Sequence, residues 1–216
     1  MGDLFPDNVT TSISTICVNR VELLFSPFNI HNDGMMNVDL AVNTLNKTSG
    51  HITLKVIKTW LNGWATSHRM HEDPILPCLF GCKEHKDSLP HYIMCPHIYA
   101  FQRYLFGDVS SDPLDRFGIK NPSIQSMKIS SCLFSAYHAV KAKVRAGKIN
   151  VHADAVTAST LRVIWGVFAE VLAAEAGELR VATRAVSLPT LMSFLCLGTR
   201  PSEEVPVANC VHDLTY

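Results

Sequence analysis

Leu76-Pro77-Cys78-Leu79-Phe80-Gly81-Cys82-Lys83-Glu84-His85-Lys86-Asp87-Ser88-Leu89-Pro90-His91-Tyr92-Ile93-Met94-Cys95 is the stretch from which the rest of the chain is read. Cys78, Cys82, His91 and Cys95 stand in it at the spacing C-x3-C-x8-H-x3-C. Three thiols and an imidazole are the donor set of a closed tetrahedral zinc site. Pro77 stiffens the approach, and Gly81 allows the tight turn that brings Cys78 and Cys82 together. Asp87 or Ser88 can cap a short helix with Pro90 in its first turn, which puts His91 and Cys95 four residues apart on one helical face. His85 and His97 lie near enough to take the place of His91, so the fourth ligand stays open at this stage. About twenty residues bury too little apolar surface to fold alone, and a bound Zn2+ is expected to serve as the core of this knuckle.

The surrounding run strengthens the reading. Trp60-Leu61-Asn62-Gly63-Trp64-Ala65-Thr66-Ser67-His68-Arg69-Met70-His71-Glu72-Asp73 precedes the cysteines, and Cys95-Pro96-His97 closes the segment. As a whole, residues 60–97 resemble the cysteine-histidine segment that lies C-terminal to the polymerase domain in non-LTR (long interspersed element type) retrotransposon reverse transcriptases, protist copies especially. The resemblance implies that Cys78, Cys82, His91 and Cys95 are the zinc ligands. It further implies a neighbouring reverse transcriptase domain and contact with RNA or single-stranded DNA. Many members have two residues between the first cysteines and four between the histidine and the last cysteine, where this chain has three and three. A polymerase also needs a Tyr/Phe-x-Asp-Asp carboxylate pair to hold magnesium, and no such tetrad occurs here. The expectation is therefore a detached, non-catalytic C-terminal piece of such an element.

Composition sets the frame. The chain has 216 residues, 47% of them apolar and 18% charged, with 19 basic and 19 acidic residues in balance. That is a globular composition without a global field toward nucleic acid or acidic membrane. The amino terminus carries neither a basic lead nor the apolar run of a secretory signal, so the expectation is an intracellular protein with reduced cysteines. No apolar run is long enough to cross a membrane, and none is expected to.

The periodicity predicts a mainly α fold, a small zinc knuckle followed by two long helices and one short helix. Residues 1–50 read as a weakly structured lead-in, within which residues 10–30 carry a short helix or a strand. Residues 51–107 read as a helix plus the knuckle. Ile52, Val56, Trp60 and Trp64 recur at steps of four, and at that spacing the tryptophans belong to a core before they belong to a base-stacking surface. Pro96 opens a further helix bearing Ile98, Phe101 and Leu105, which Gly107 closes. Residues 108–199 form the helical region. Its first long helix has Asn121 and Pro122 in its cap and first-turn positions and ends near Arg145, with Ile129, Leu133, Ala136, Tyr137, Val140 and Val144 on its buried face. A second runs from about Ala153 to Ala176, and a short one carries Leu191, Met192, Phe194, Leu195 and Cys196. Residues 200–216 read as a loose tail.

Between Arg116 and Ala153 there are seven basic residues and no acidic one. Lys141, Lys143, Arg145 and Lys148 cluster at a helix C-terminus, where cations complement the helix dipole and can also contact phosphates. With Tyr92, Tyr99 and Phe101 as stacking surfaces, they are the candidate nucleic-acid-binding residues. A metal-free helical protein-interaction domain is the competing class. A cysteine hydrolase is disfavoured, because no single thiol is set apart with a base and an orienting group.

Overall fold

The computed structural model describes residues 13–26, 37–152, 155–179 and 181. Among them the chain is helical, as the periodicity predicts: α1 (Ile13–Phe25), α2 (Val38–Leu45), α3 (Gly50–Trp60), α4 (Leu89–Met94), α5 (Pro96–Phe106), α6 (Pro113–Arg116), α7 (Ile124–Arg145) and α8 (Ala158–Glu178). The β structure among the described residues is an isolated antiparallel bridge between Pro77 and Lys86. The short helix expected near 191–196 and the tail from 200 lie outside the described residues.

α7 is the spine, packed against both α8 and α3. Its N-terminus is held by a capping box in which the Ser123 hydroxyl accepts from the Ser126 N–H and the Ser126 hydroxyl accepts from the Ser123 N–H. Ile129, Leu133, Ala136, Tyr137 and Val140 are buried, the face the sequence assigns, and Val144 packs at its margin. On α8 the buried face is Ile164, Trp165, Val167, Phe168, Leu172 and Ala176. Val163 on the same helix is half exposed.

α3 ends at Trp60 rather than Trp64, because Asn62 adopts a positive φ of 56° and turns the chain out of the helix. Both tryptophans are nevertheless core. Trp60 Nε1 donates to the Phe117 carbonyl, and Trp64 Nε1 donates to the Thr59 hydroxyl with its ring 4.7 Å from that of Tyr137.

Two expectations about organisation are corrected. Residues 37–50 contain a capped helix, with the Asn37 side chain accepting from the Leu40 N–H. Val21, Leu24, Ala41 and Leu45 from the supposed lead-in join the core. The knuckle is also not a body of its own. Leu79, Phe80, Leu89, Tyr92 and Ile93 enter the same apolar cluster as α3, α7 and α8, so the boundary expected at 107/108 does not divide two cores.

Candidate metal centre

The loop 76–87 folds back on itself. Cys78 N–H donates to the His85 carbonyl at 2.7 Å and Asp87 N–H donates to the Leu76 carbonyl at 2.9 Å, while Gly81 N–H closes the inner turn on the Cys78 carbonyl. Gly81 sits at φ 96°, a conformation that side chains rarely adopt, and a Cβ there would meet Leu161 Cδ1 of α8 at 3.1 Å. Glycine is thus required twice, by the turn and by the close approach of α8. Between the two cysteines Leu79 and Phe80 point inward, and the Phe80 ring lies 4.9 Å from those of Trp165 and Phe168.

The second half follows as α4. Pro90 stands in its first turn, and Ser88 occupies the N-cap position without a side-chain cap hydrogen bond. His91 is carried by α4, and Cys95 is shared between its end and the start of α5. The result brings one donor atom from each of Cys78, Cys82, His91 and Cys95 within 4.8 Å of one another. Cys78 and Cys95 are fully buried and His91 nearly so. His85 stacks on His91 from outside with ring centroids 4.3 Å apart, and neither it nor His97 belongs to the cluster.

The donor atoms fit an ion. Cys82 Sγ and Cys95 Sγ are 3.7 Å apart. That is far beyond a disulfide bond of about 2.05 Å, and matches the separation of about 3.8 Å between two sulfurs each about 2.3 Å from one tetrahedral metal. His91 Nε2 is buried and has no protein partner. Without an ion the three thiols cannot share charge evenly. Burial opposes the Cys78 thiolate, yet hydrogen bonds from Cys82 and Cys95 and the neighbouring His91 hold its pKa well below the thiol range. Cys82 is pushed up to about 12, first by its hydrogen bond with Cys78, and Cys95 is pushed well above its ordinary value by burial and by both other sulfurs. The bare cluster therefore favours one thiolate, whereas a divalent cation allows three. With four donors around one centre, no coordination position is left open for a substrate, the arrangement of a structural metal rather than a catalytic one.

Asp87, offered alongside Ser88 as a possible helix cap, has another role. Its carboxylate caps no helix; it is completely buried and accepts from the Ser67 N–H and hydroxyl, the Tyr92 and Tyr137 hydroxyls and Lys141 Nζ. Lys141 in turn donates to Ser67 Oγ at 2.6 Å and Glu72 Oε2 at 2.8 Å, and Glu72 also holds Arg145. This network ties the metal loop to α7 and to the 64–72 segment.

The candidate nucleic-acid residues are dispersed by the fold. Lys141 is 1% exposed and committed to Asp87, Tyr92 is buried with its hydroxyl on the same carboxylate, and Phe101 is buried against Trp165 and Phe168. These three are corrected to core residues, because each lies on the apolar or polar interior face of its helix. Tyr99 is partly buried beneath the Arg116 guanidinium, which lies 4.3 Å from its ring centre. Lys143, Arg145 and Lys148 are exposed, Arg145 in an ion pair with Glu72.

No helix among the described residues is long and apolar enough to cross a membrane. No protein-family model matches the chain, and neither a curated protein nor a solved structure does.

Proposed function

We propose that the chain is a non-catalytic zinc module in which the ion staples the 76–95 loop onto a helical body. The observation that carries this is the buried convergence of Cys78, Cys82, His91 and Cys95 around a point where His91 Nε2 has no other partner. A set of three thiolates and one imidazole selects soft and borderline ions, and a single closed four-donor centre suits zinc best among them. The likeness of residues 60–97 to the segment that follows retrotransposon polymerase domains supports a retroelement origin, with a reverse transcriptase domain as the natural neighbour. Exposed Ile16, Leu23, Leu40 and Val42 on α1 and α2 favour packing against such a neighbour. A direct grip on RNA or single-stranded DNA has less support, since Lys141, Tyr92 and Phe101 face inward.

The competing reading, a metal-free helical interaction domain, draws on one observation. Leu79 and Phe80 anchor the loop in the core without help from an ion. Metal analysis of protein purified without chelator separates the two. About one zinc per chain is expected, lost in Cys82→Ser and Cys95→Ser and kept in Cys132→Ser, whose thiol lies buried on α7. Less than about a tenth of an equivalent in the unaltered chain overturns the zinc reading.

A further inference from the structure

The donors of the metal cluster are unequally covered. Cys78 and Cys95 are fully buried and His91 is nearly so, whereas Cys82 is only partly covered. Cys82 leads directly into Lys83-Glu84-His85-Lys86, four exposed residues with two cations against one anion. A partly exposed thiolate in electropositive surroundings is the reactive kind, and a buried one is inert. Cys95 Sγ lies 3.7 Å from Cys82 Sγ, so a second sulfur stands ready to react with whatever forms on the first.

The two sulfurs are also held differently. Cys95 joins the end of α4 to the start of α5, with Ile93 and Ile98 in the core on either side of it. The anchors of the other strand of the loop, Leu79 and Phe80, come before Cys82, and the residues that follow it are exposed. Closing the gap from 3.7 Å to the about 2.05 Å of a disulfide therefore falls to Cys82. Leu79, Phe80, Leu89, Tyr92 and Ile93 belong to the core shared with α3, α7 and α8, so the body stays folded when the ion leaves. That is the condition for a reversible device.

We propose that the metal cluster is a peroxide-sensitive switch, in which Cys82 is oxidised first, Cys95 closes a disulfide onto it and the ion is released. The proposal rests on the zinc reading above. Cys82 sulfur attacks one oxygen of hydrogen peroxide; the S–O bond forms as the O–O bond breaks, and the departing hydroxide takes a proton and leaves as water. Cys95 sulfur then attacks Cys82 sulfur; the S–S bond forms as the S–O bond breaks, and a second water leaves in the same way. Each sulfur gives up one electron and the peroxide takes both. The ion is left with Cys78 and His91, half of a closed four-donor site. A dithiol reductant reverses the disulfide by thiol exchange.

The test adds hydrogen peroxide to the full zinc-loaded chain beside a chromogenic zinc indicator, then maps the disulfide by mass spectrometry. Release of about one zinc per chain is expected, with a Cys82–Cys95 linkage, an unchanged far-UV circular dichroism spectrum and recovery on adding dithiothreitol and zinc. Cys82→His keeps a donor set used in structural zinc sites and is expected to release zinc at least about tenfold more slowly. Cys132→Ser, whose thiol lies buried on α7, is expected to respond like the unaltered chain. Met70, 46% exposed, is the internal dosimeter. Zinc retained at a peroxide dose that converts Met70 to its sulfoxide overturns the proposal, as does a disulfide that leaves out Cys82 or a loss of helical signal on release. Both are read on the unaltered chain and do not depend on either variant. A chain that holds no zinc before peroxide is added overturns the zinc reading and this proposal with it; one that holds zinc and keeps it overturns this proposal alone.

Discussion

Asp87 and Lys141 meet at 2.7 Å with both side chains essentially out of solvent. A buried ion pair of this kind adds little net stability against apolar replacements, but removing one partner strands the other. Lys141→Met is accordingly expected to cost about 3 to 5 kcal/mol in urea unfolding. Adding Asp87→Asn to it is expected to cost less than the sum of the single changes, the mark of a direct coupling. Glu72 sits at the outer end of the same network. Burial works to raise its pKa, but hydrogen bonds from Lys141, Arg145 and Ser67 outweigh it and bring the value down from 4.5 to about 2. A carboxylate depressed in the folded state contributes stability that is complete above its unfolded pKa and is lost as pH falls through the folded one. Denaturant melts are therefore expected to show a loss between about pH 4.5 and 2 that is smaller in Glu72→Gln, the difference between the two proteins isolating this group from acid release of metal.

At the scale of elements, α7 does most to organise the molecule, and its start is secured locally. Ser123→Ala removes the acceptor for the Ser126 N–H and is expected to cost about 1 kcal/mol, read as a shift of the denaturation midpoint at constant slope. The helices around α7 were legible for ordinary reasons. Pro96 and Gly107 mark the ends of α5, and the run of Ile129, Leu133, Ala136, Tyr137 and Val140 marks the inner face of α7. Less legible was where a helix stops short. Trp64 continues the four-residue spacing of Ile52, Val56 and Trp60, but Asn62 turns the backbone first, and Trp64 reaches the core from a loop. A four-residue period cannot reveal that, because burial of the side chain is the same in either case.

For the molecule as a whole, the shared core changes what a bound metal would be needed for. Because Leu79, Phe80, Leu89, Tyr92 and Ile93 are anchored among α3, α7 and α8, chelation is expected to loosen the loop while leaving most helical structure in place. The same packing limits the electrostatic reach of the surface. Of the basic residues at the end of α7, Lys143 and Lys148 are exposed with no ion pair to the described residues, whereas Lys141 is consumed inside. If single-stranded nucleic acid binds there, two neutralised phosphates give a log–log salt slope of about −1.4, and Lys143→Ala with Lys148→Ala is expected to flatten it. A slope near −3, the value for about four cations, is the result that the burial of Lys141 argues against.

The three cysteines of the candidate metal cluster were legible in the sequence alone, because thiols in so short a span have little room to diverge and Gly81 supplies the turn that joins Cys78 and Cys82. Helical class and the inner faces of α5 and α7 were likewise carried by local signals of cap, period and terminator. Two outcomes belonged to the tertiary structure. It placed His91 rather than His85 or His97 in the cluster, and it drew Lys141 to Asp87 across 54 positions of chain. The physical reason is common to both: a polar side chain's partner is set by which elements pack together, and neither charge nor spacing along the chain encodes that contact.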